Sequence, residues 1–156
     1  MGKARKSGGR YKALARKSHR RRAATHSGGA VPGSFVNAYT EAALWSSMDN
    51  SDDSGGEPLD KNYSVDDIAP STMRKMCADC TKFYRANRKD IEAGTSKGRY
   101  DGPTQAGHDF WLTRNGHGAG FWDGDWPEPA ATRLTKAAKG FGEFNLYVGD
   151  DGKIYG

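Results

Sequence analysis

Four side chains in the C-terminal half offer the most enzyme-like chemistry in this chain. His108 and Asp123, brought together, would make an imidazole whose tautomer and basicity are set by a carboxylate, and Arg114 with His117 would extend the same surface towards a bound anion. No Ser or Cys nucleophile is placed beside them, and Gly116-x-Gly118-x-Gly120 does not lie between a strand and a helix as a phosphate-binding loop must. These four residues are the candidate catalytic set of a small enzyme. Structural hydrogen bonding accounts for them with fewer requirements, so the balance is against catalysis.

Cys77-Ala78-Asp79-Cys80 has the spacing of a zinc or dithiol site, but a structural zinc needs four ligands and the chain holds two cysteines. Both fall on an apolar helical stripe, where a thiol behaves as a small hydrophobe, so they are expected to be buried and inert. The acidic stretch from Asp49 to Asp60 places oxygen side chains at several offsets of a calcium loop. It has Ser54 where the loop needs glycine and ends in Asp rather than Glu, and is expected to be solvated. Neither a metal nor a cofactor is expected.

Charge is the next signal. Residues 1 to 30 carry ten cations and no acid: Lys3, Arg5, Lys6, Arg10, Lys12, Arg16, Lys17, Arg20, Arg21 and Arg22. The remaining 14 Lys and Arg share the rest of the chain with all 19 Asp and Glu, so the formal net charge of +5 divides into an arm of +10 and a body of −5. A segment with so few apolar residues cannot repay the entropy of folding alone, and is expected to be a flexible polycation that seeks polyanions. Arg5, Lys6, Arg10, Tyr11, Lys12, Arg16, Lys17, Arg20, Arg21 and Arg22 are the candidate nucleic-acid contacts, non-specific because they neutralise phosphates rather than read bases. Exposed rings provide a further surface: Trp122, Asp123, Asp125 and Trp126 form a candidate acidic, aromatic patch for docking on a basic protein.

The elements that must position these residues follow from 156 residues rich in rings, with four Trp, seven Tyr and six Phe. Such a length allows one domain, and the rings can build its core. Gly28, Gly29, Pro32 and Gly33 mark a hinge, giving an arm over 1–33 and a domain over 34–156. A helix is predicted from Ser34 to about Met48 with Phe35, Tyr39, Ala42 and Ala43 on one face. Ser64 to Asp67 has the form of a capping box. Pro70 opens the clearest periodic helix, with Met73, Met76, Cys77, Cys80, Phe83, Tyr84 and Ile91 on one face and Gly94 as its stop. Lys82, Arg85, Arg88 and Lys89 occupy its other face.

Gly94 to Gly107 then reads as a connector, and Phe110 to Arg114 with Gly118 to Trp122 as a β-hairpin turning at Asn115-Gly116. That register would put His108 opposite Asp123 and Arg114 opposite His117 on one face of the ribbon. A helix after Pro127-Glu128-Pro129 carries Leu134, Ala137, Ala138 and Phe141, with Lys136 and Lys139 near its end. A second hairpin turns at Asp151-Gly152. The expected fold is α+β: two helices, a hairpin, a helix and a hairpin, preceded by a disordered basic arm. No apolar run is long enough to cross a bilayer.

Four segments have a further likeness. Ala43 to Ser47, Gly55 to Ser64, Ala106-Gly107-His108-Asp109-Phe110-Trp111-Leu112-Thr113-Arg114-Asn115-Gly116-His117-Gly118-Ala119-Gly120-Phe121-Trp122-Asp123, and Leu146 to Tyr155 resemble a set of small proteins encoded by bacteriophages and prophages, over roughly residues 34 to 155. The basic arm lies outside that pattern, and Gly124-Asp125-Trp126-Pro127 departs from it. The resemblance brings no established activity. It implies expression in the cytoplasm of a bacterial host and a dispensable, host-directed role. The expectation is a non-enzymatic accessory protein acting by binding: the arm to nucleic acid and the body to a host protein, as an inhibitor of a defence or nucleic-acid-processing complex. The alternative is the small enzyme on His108, Asp123, Arg114 and His117.

Overall fold

The structure is a computed structural model that describes residues 29–53, 56–95, 97 and 99–156. Val31–Gly156 forms one compact unit, and the first thirty residues fall outside it. The predicted arm lies outside the described residues up to Gly28, as do Ser54, Gly55, Ser96 and Gly98.

Helix α1 (Gly33–Ser46) starts behind Pro32, whose carbonyl accepts the N–H of Phe35, and buries Phe35, Ala38, Tyr39, Ala42 and Ala43. Beyond it, Met48–Asp49 (β1) pairs antiparallel with Glu57–Pro58 (β2), a ribbon formed by the ends of the acidic stretch. Asp67 accepts from both the N–H and the hydroxyl of Ser64, which opens a short helical turn over Val65–Asp67. Helix α2 (Pro70–Ala93) has Pro70 in its first turn, where its missing N–H is not needed, and ends at Gly94, whose φ of 83° suits glycine. It bends at Asn87 (φ −119°, ψ 16°), where the side-chain amide donates to the Phe83 carbonyl at 2.9 Å.

The third helix corrects the predicted first hairpin. Gly102–Arg114 is an α-helix, α3. Asp101 caps its start by accepting the Thr104 N–H at 2.8 Å, and Pro103 sits in its first turn. Asn115-Gly116 is its stop rather than a hairpin turn: Gly116 (φ 69°) donates to the Thr113 carbonyl and His117 to that of Leu112, the paired bonds of a Schellman motif. Asn-Gly suits both settings because each needs a residue at positive φ. The predicted connector therefore ends at Asp101, and the predicted second strand, Gly118 to Trp122, belongs to a loop that runs on to Glu128.

Helix α4 (Ala130–Lys139) follows Pro127-Glu128-Pro129 as predicted and buries Ala131, Leu134 and Ala138. Tyr147–Val148 (β3) then pairs antiparallel with Ile154–Tyr155 (β4), with Gly152 at φ 73° in the turn. A bridge from Ile68 to Ile154 ties this ribbon to the chain before α2. The α+β class stands, with four helices and two small antiparallel ribbons among the described residues.

Rings build the core where α1, α2 and α3 meet. Phe83 and Phe110 stack at 4.1 Å with planes 8° apart, and Phe35, Tyr39, Trp111 and Phe121 surround them. Gly107 lets α1 and α3 approach closely, since a Cβ there would collide with the Phe35 carbonyl. Among the described residues the core runs from Phe35 to Ile154, within the one compact unit.

Candidate functional site

The α-helical course of residues 102–114 disperses the four candidate catalytic residues. His108 is half-buried on α3, where its ring stacks on Tyr100 at 5.9 Å; burial lowers its pKa, with Glu41 opposing. Asp123 lies in the following loop, and its carboxylate accepts the Gly120 N–H. No hydrogen bond or ion pair joins the two among the described residues. His117 lines a polar cleft with Asn50, Asn115 and Glu143. Ser46 reaches the same cleft, but its hydroxyl donates to the Ala42 carbonyl and accepts the Trp111 indole N–H. The face that a hairpin would have assembled does not exist.

Arg114 is structural. Its side chain is 3% exposed and donates to Asp79 at 2.9 Å, to the Tyr39 hydroxyl at 2.8 Å, and to the carbonyls of Gly142 and Phe141. The guanidinium also lies over the rings of Phe110, Phe141 and Phe144. A buried arginine with that many partners locks α1, α2, α3 and the chain after α4 together. It has little left to offer a ligand.

On the same helix, Asp109 is buried without a cation. Its carboxylate accepts the Trp126 indole N–H at 2.7 Å and the Gln105 amide at 3.1 and 3.2 Å. Burial pushes its pKa up to about 6, the neighbouring charges of Asp123 and Asp125 add to the rise, and the two donors oppose it. No spacing in the sequence singles out Asp109, because an aspartate beside His108 on a surface strand would be unremarkable. Its partner Trp126 corrects the proposed docking patch: it is 3% exposed and packs on Phe121. Asp125 is half-buried, which leaves Trp122 and Asp123 as the exposed members.

Of the two cysteines, Cys80 is buried, and burial raises its thiol pKa; Cys77 is partly exposed on the outer side of α2. The expected burial therefore holds for one of the pair. Among the described residues, no three His, Cys, Asp or Glu side chains converge as metal ligands.

Exposed charge is sorted by element. Between Asp49 and Asp67 the chain carries seven acids and one lysine, next to the exposed side chains of Trp45, Met48 and Val65. Helix α2 turns Arg74, Lys82, Arg85 and Lys89 outward, while its three acids are matched: Asp79 to Arg114, Glu92 to Arg88 and Asp90 to Arg133. Helix α4 adds Lys136 and Lys139, which line a cleft with Trp122, Glu128, Ala131, Thr132 and Thr135. Trp122 is 52% exposed. That cleft is not legible in the sequence, since the lysines serve equally well as partners of the α4 dipole.

Among the described residues, no helix is long and apolar enough to cross a membrane. Comparison with protein-family models, with curated proteins and with solved structures finds no match to this chain.

Proposed function

We propose that this chain is a small binding protein rather than an enzyme, a phage-type accessory factor that attaches to nucleic acid through its first thirty residues and presents its folded body to a host protein. The observation that carries the reading is the division of charge: ten cations and no acid before residue 31, with every acid of the chain after it. Each phosphate such a segment neutralises releases counterions, so a few contacts give sizeable affinity for any sequence. The dispersal of His108, Asp123, Arg114 and His117 removes the geometric basis for the enzymatic alternative.

The body's protein-facing surface is best matched by the acidic ribbon region, where Trp45 and Met48 stand exposed beside Asp49, Glu57 and Asp60. Exposed apolar side chains on a net-acidic stretch fit a basic surface, of the kind a nucleic-acid-processing or defence complex presents. Such an inhibitor would act in the cytoplasm of the bacterial host. Two measurements test the reading. Titration of duplex DNA with the full chain and with a chain lacking residues 1–30 should show binding only in the first. Capture of host proteins, repeated after nuclease treatment, should retain a partner that Trp45→Ala weakens. Equal duplex binding by both chains would end the nucleic-acid half, and loss of every captured protein on nuclease treatment would end the inhibitor half.

A further inference from the structure

We infer that the cleft between Trp122 and the outer face of α4 holds a base and its phosphates from single-stranded nucleic acid. This rests on the reading of the chain as a nucleic-acid binder, but it assigns a second site, on the body, with a different ligand form.

Four observations converge on the cleft. Trp122 is a large ring left 52% exposed, the most open of the four tryptophans: Trp111 and Trp126 are buried, and Trp45, at 45%, stands beside the acidic ribbon. Its indole N–H has no hydrogen-bond partner among the described residues, and the indole lies against Gly120, where a Cβ would come 3.2 Å from Nε1. Lys136 and Lys139, one turn apart on α4, line the same cleft and have no carboxylate partner among the described residues. Thr135, also in its lining, carries a covered hydroxyl oxygen with no hydrogen-bond partner. The lining also holds one acid, Glu128, which accepts from the N–H and the hydroxyl of Thr132 at 3.2 and 2.8 Å and keeps its charge, so the two lysines leave the lining net positive by one.

The chemistry selects the ligand. A flat ring stacks on any nucleobase, and two ammonium groups spaced by a helical turn match phosphate oxygens. An anionic peptide would satisfy the lysines but would need a ring of its own placed against the indole, whereas every nucleotide carries one beside its phosphate. A base paired in a duplex has no face to offer, so the strand must be single. A free mononucleotide needs a pocket that closes over most of its surface, and a ring half open to solvent does not provide one.

The test uses residues 31–156, the compact unit that holds the core of the described residues, with an eight-residue oligothymidylate as the probe and circular dichroism to confirm that it is folded. Stacking should quench tryptophan emission, and Trp122→Ala should weaken binding by about tenfold or more, the fold-change expected for one missing base stack. The double variant Lys136→Gln/Lys139→Gln should reduce the salt slope by about 0.7 for each phosphate that is no longer neutralised. Thymidine monophosphate should bind far more weakly than the octamer. The inference is overturned if the body does not bind the octamer, if Trp122→Ala binds as tightly as the parent, or if the monophosphate binds as well as the strand. Duplex binding by the full chain reports on residues 1–30 separately. A full chain that grips duplex while the body ignores the octamer removes the cleft and leaves the arm; the reverse pattern removes the arm and leaves the cleft.

Discussion

Asp109 makes folding stability depend on pH in a direction opposite to that of most carboxylates. It is 2% exposed, faces two neutral donors and no cation, and has a pKa of about 6 against an ordinary value of 3.8. Between those two values the unfolded chain has released this proton while the folded chain keeps it. Stability contributed by the group is therefore full below the unfolded value and falls as pH rises, until the folded group also ionises at about 6. The whole difference corresponds to about 3 kcal/mol. Asp90, Glu92, Asp101 and Asp151 have pKa values below the usual range, so they pull the other way, and only at lower pH.

Asp109→Asn separates these contributions. An amide oxygen in the Oδ2 position still accepts from Trp126, and rotation of the Gln105 amide lets its oxygen accept from the new NH2 group, so each partner keeps a hydrogen bond. The variant keeps the hydrogen bonds and removes the titration. His108, whose pKa burial lowers, contributes stability that rises with pH in the same window in parent and variant alike. Urea unfolding at half-unit steps from pH 4.5 to 8 covers most of the interval, so the stability of the parent relative to the variant should fall by about 2 kcal/mol as pH rises. A parent-minus-variant difference that is flat or grows with pH would refute the argument that this carboxylate is held in a site that disfavours its charge.

Three other perturbations have defined outcomes. Arg114→Met strips Asp79, the Tyr39 hydroxyl and two carbonyls of their donor, and should cost about 3–5 kcal/mol in guanidinium unfolding. Asp101→Ala removes the α3 cap and should destabilise by about 1 kcal/mol in the same assay. With a thiol reagent at alkaline pH, Cys77 should react in the folded protein, while Cys80, buried and with its pKa raised, should be modified only on unfolding.

Three of the four helices are legible in the sequence because their burial is one-sided. Helix α2 shows its buried face as a stripe from Met76 to Ile91, and α4 shows Ala131, Leu134 and Ala138. Helix α3 has no such stripe: Ala106, Gly107, Asp109, Phe110, Trp111, Leu112, Thr113 and Arg114 are all buried, so the helical period is hidden by packing on every side. With that signal missing, Asn115-Gly116 between aromatic residues reads as a hairpin turn, and the expected catalytic face depends on that turn. The dipeptide does stop the element that precedes it, but the element is a helix. The cleft beside Trp122 depends on how the loop after α3 lies against α4, a tertiary relation that no local spacing records. The uneven charge of the chain needs no fold to be seen.

The salt dependence of duplex DNA binding tests the central claim most directly. If half of the ten cations in residues 1–30 engage phosphates, the logarithm of the association constant should fall with the logarithm of salt concentration at a slope of about −4.5. Removing those residues should abolish the steep dependence together with most of the affinity. A slope near zero for the full chain, or one unchanged by the deletion, would contradict the account.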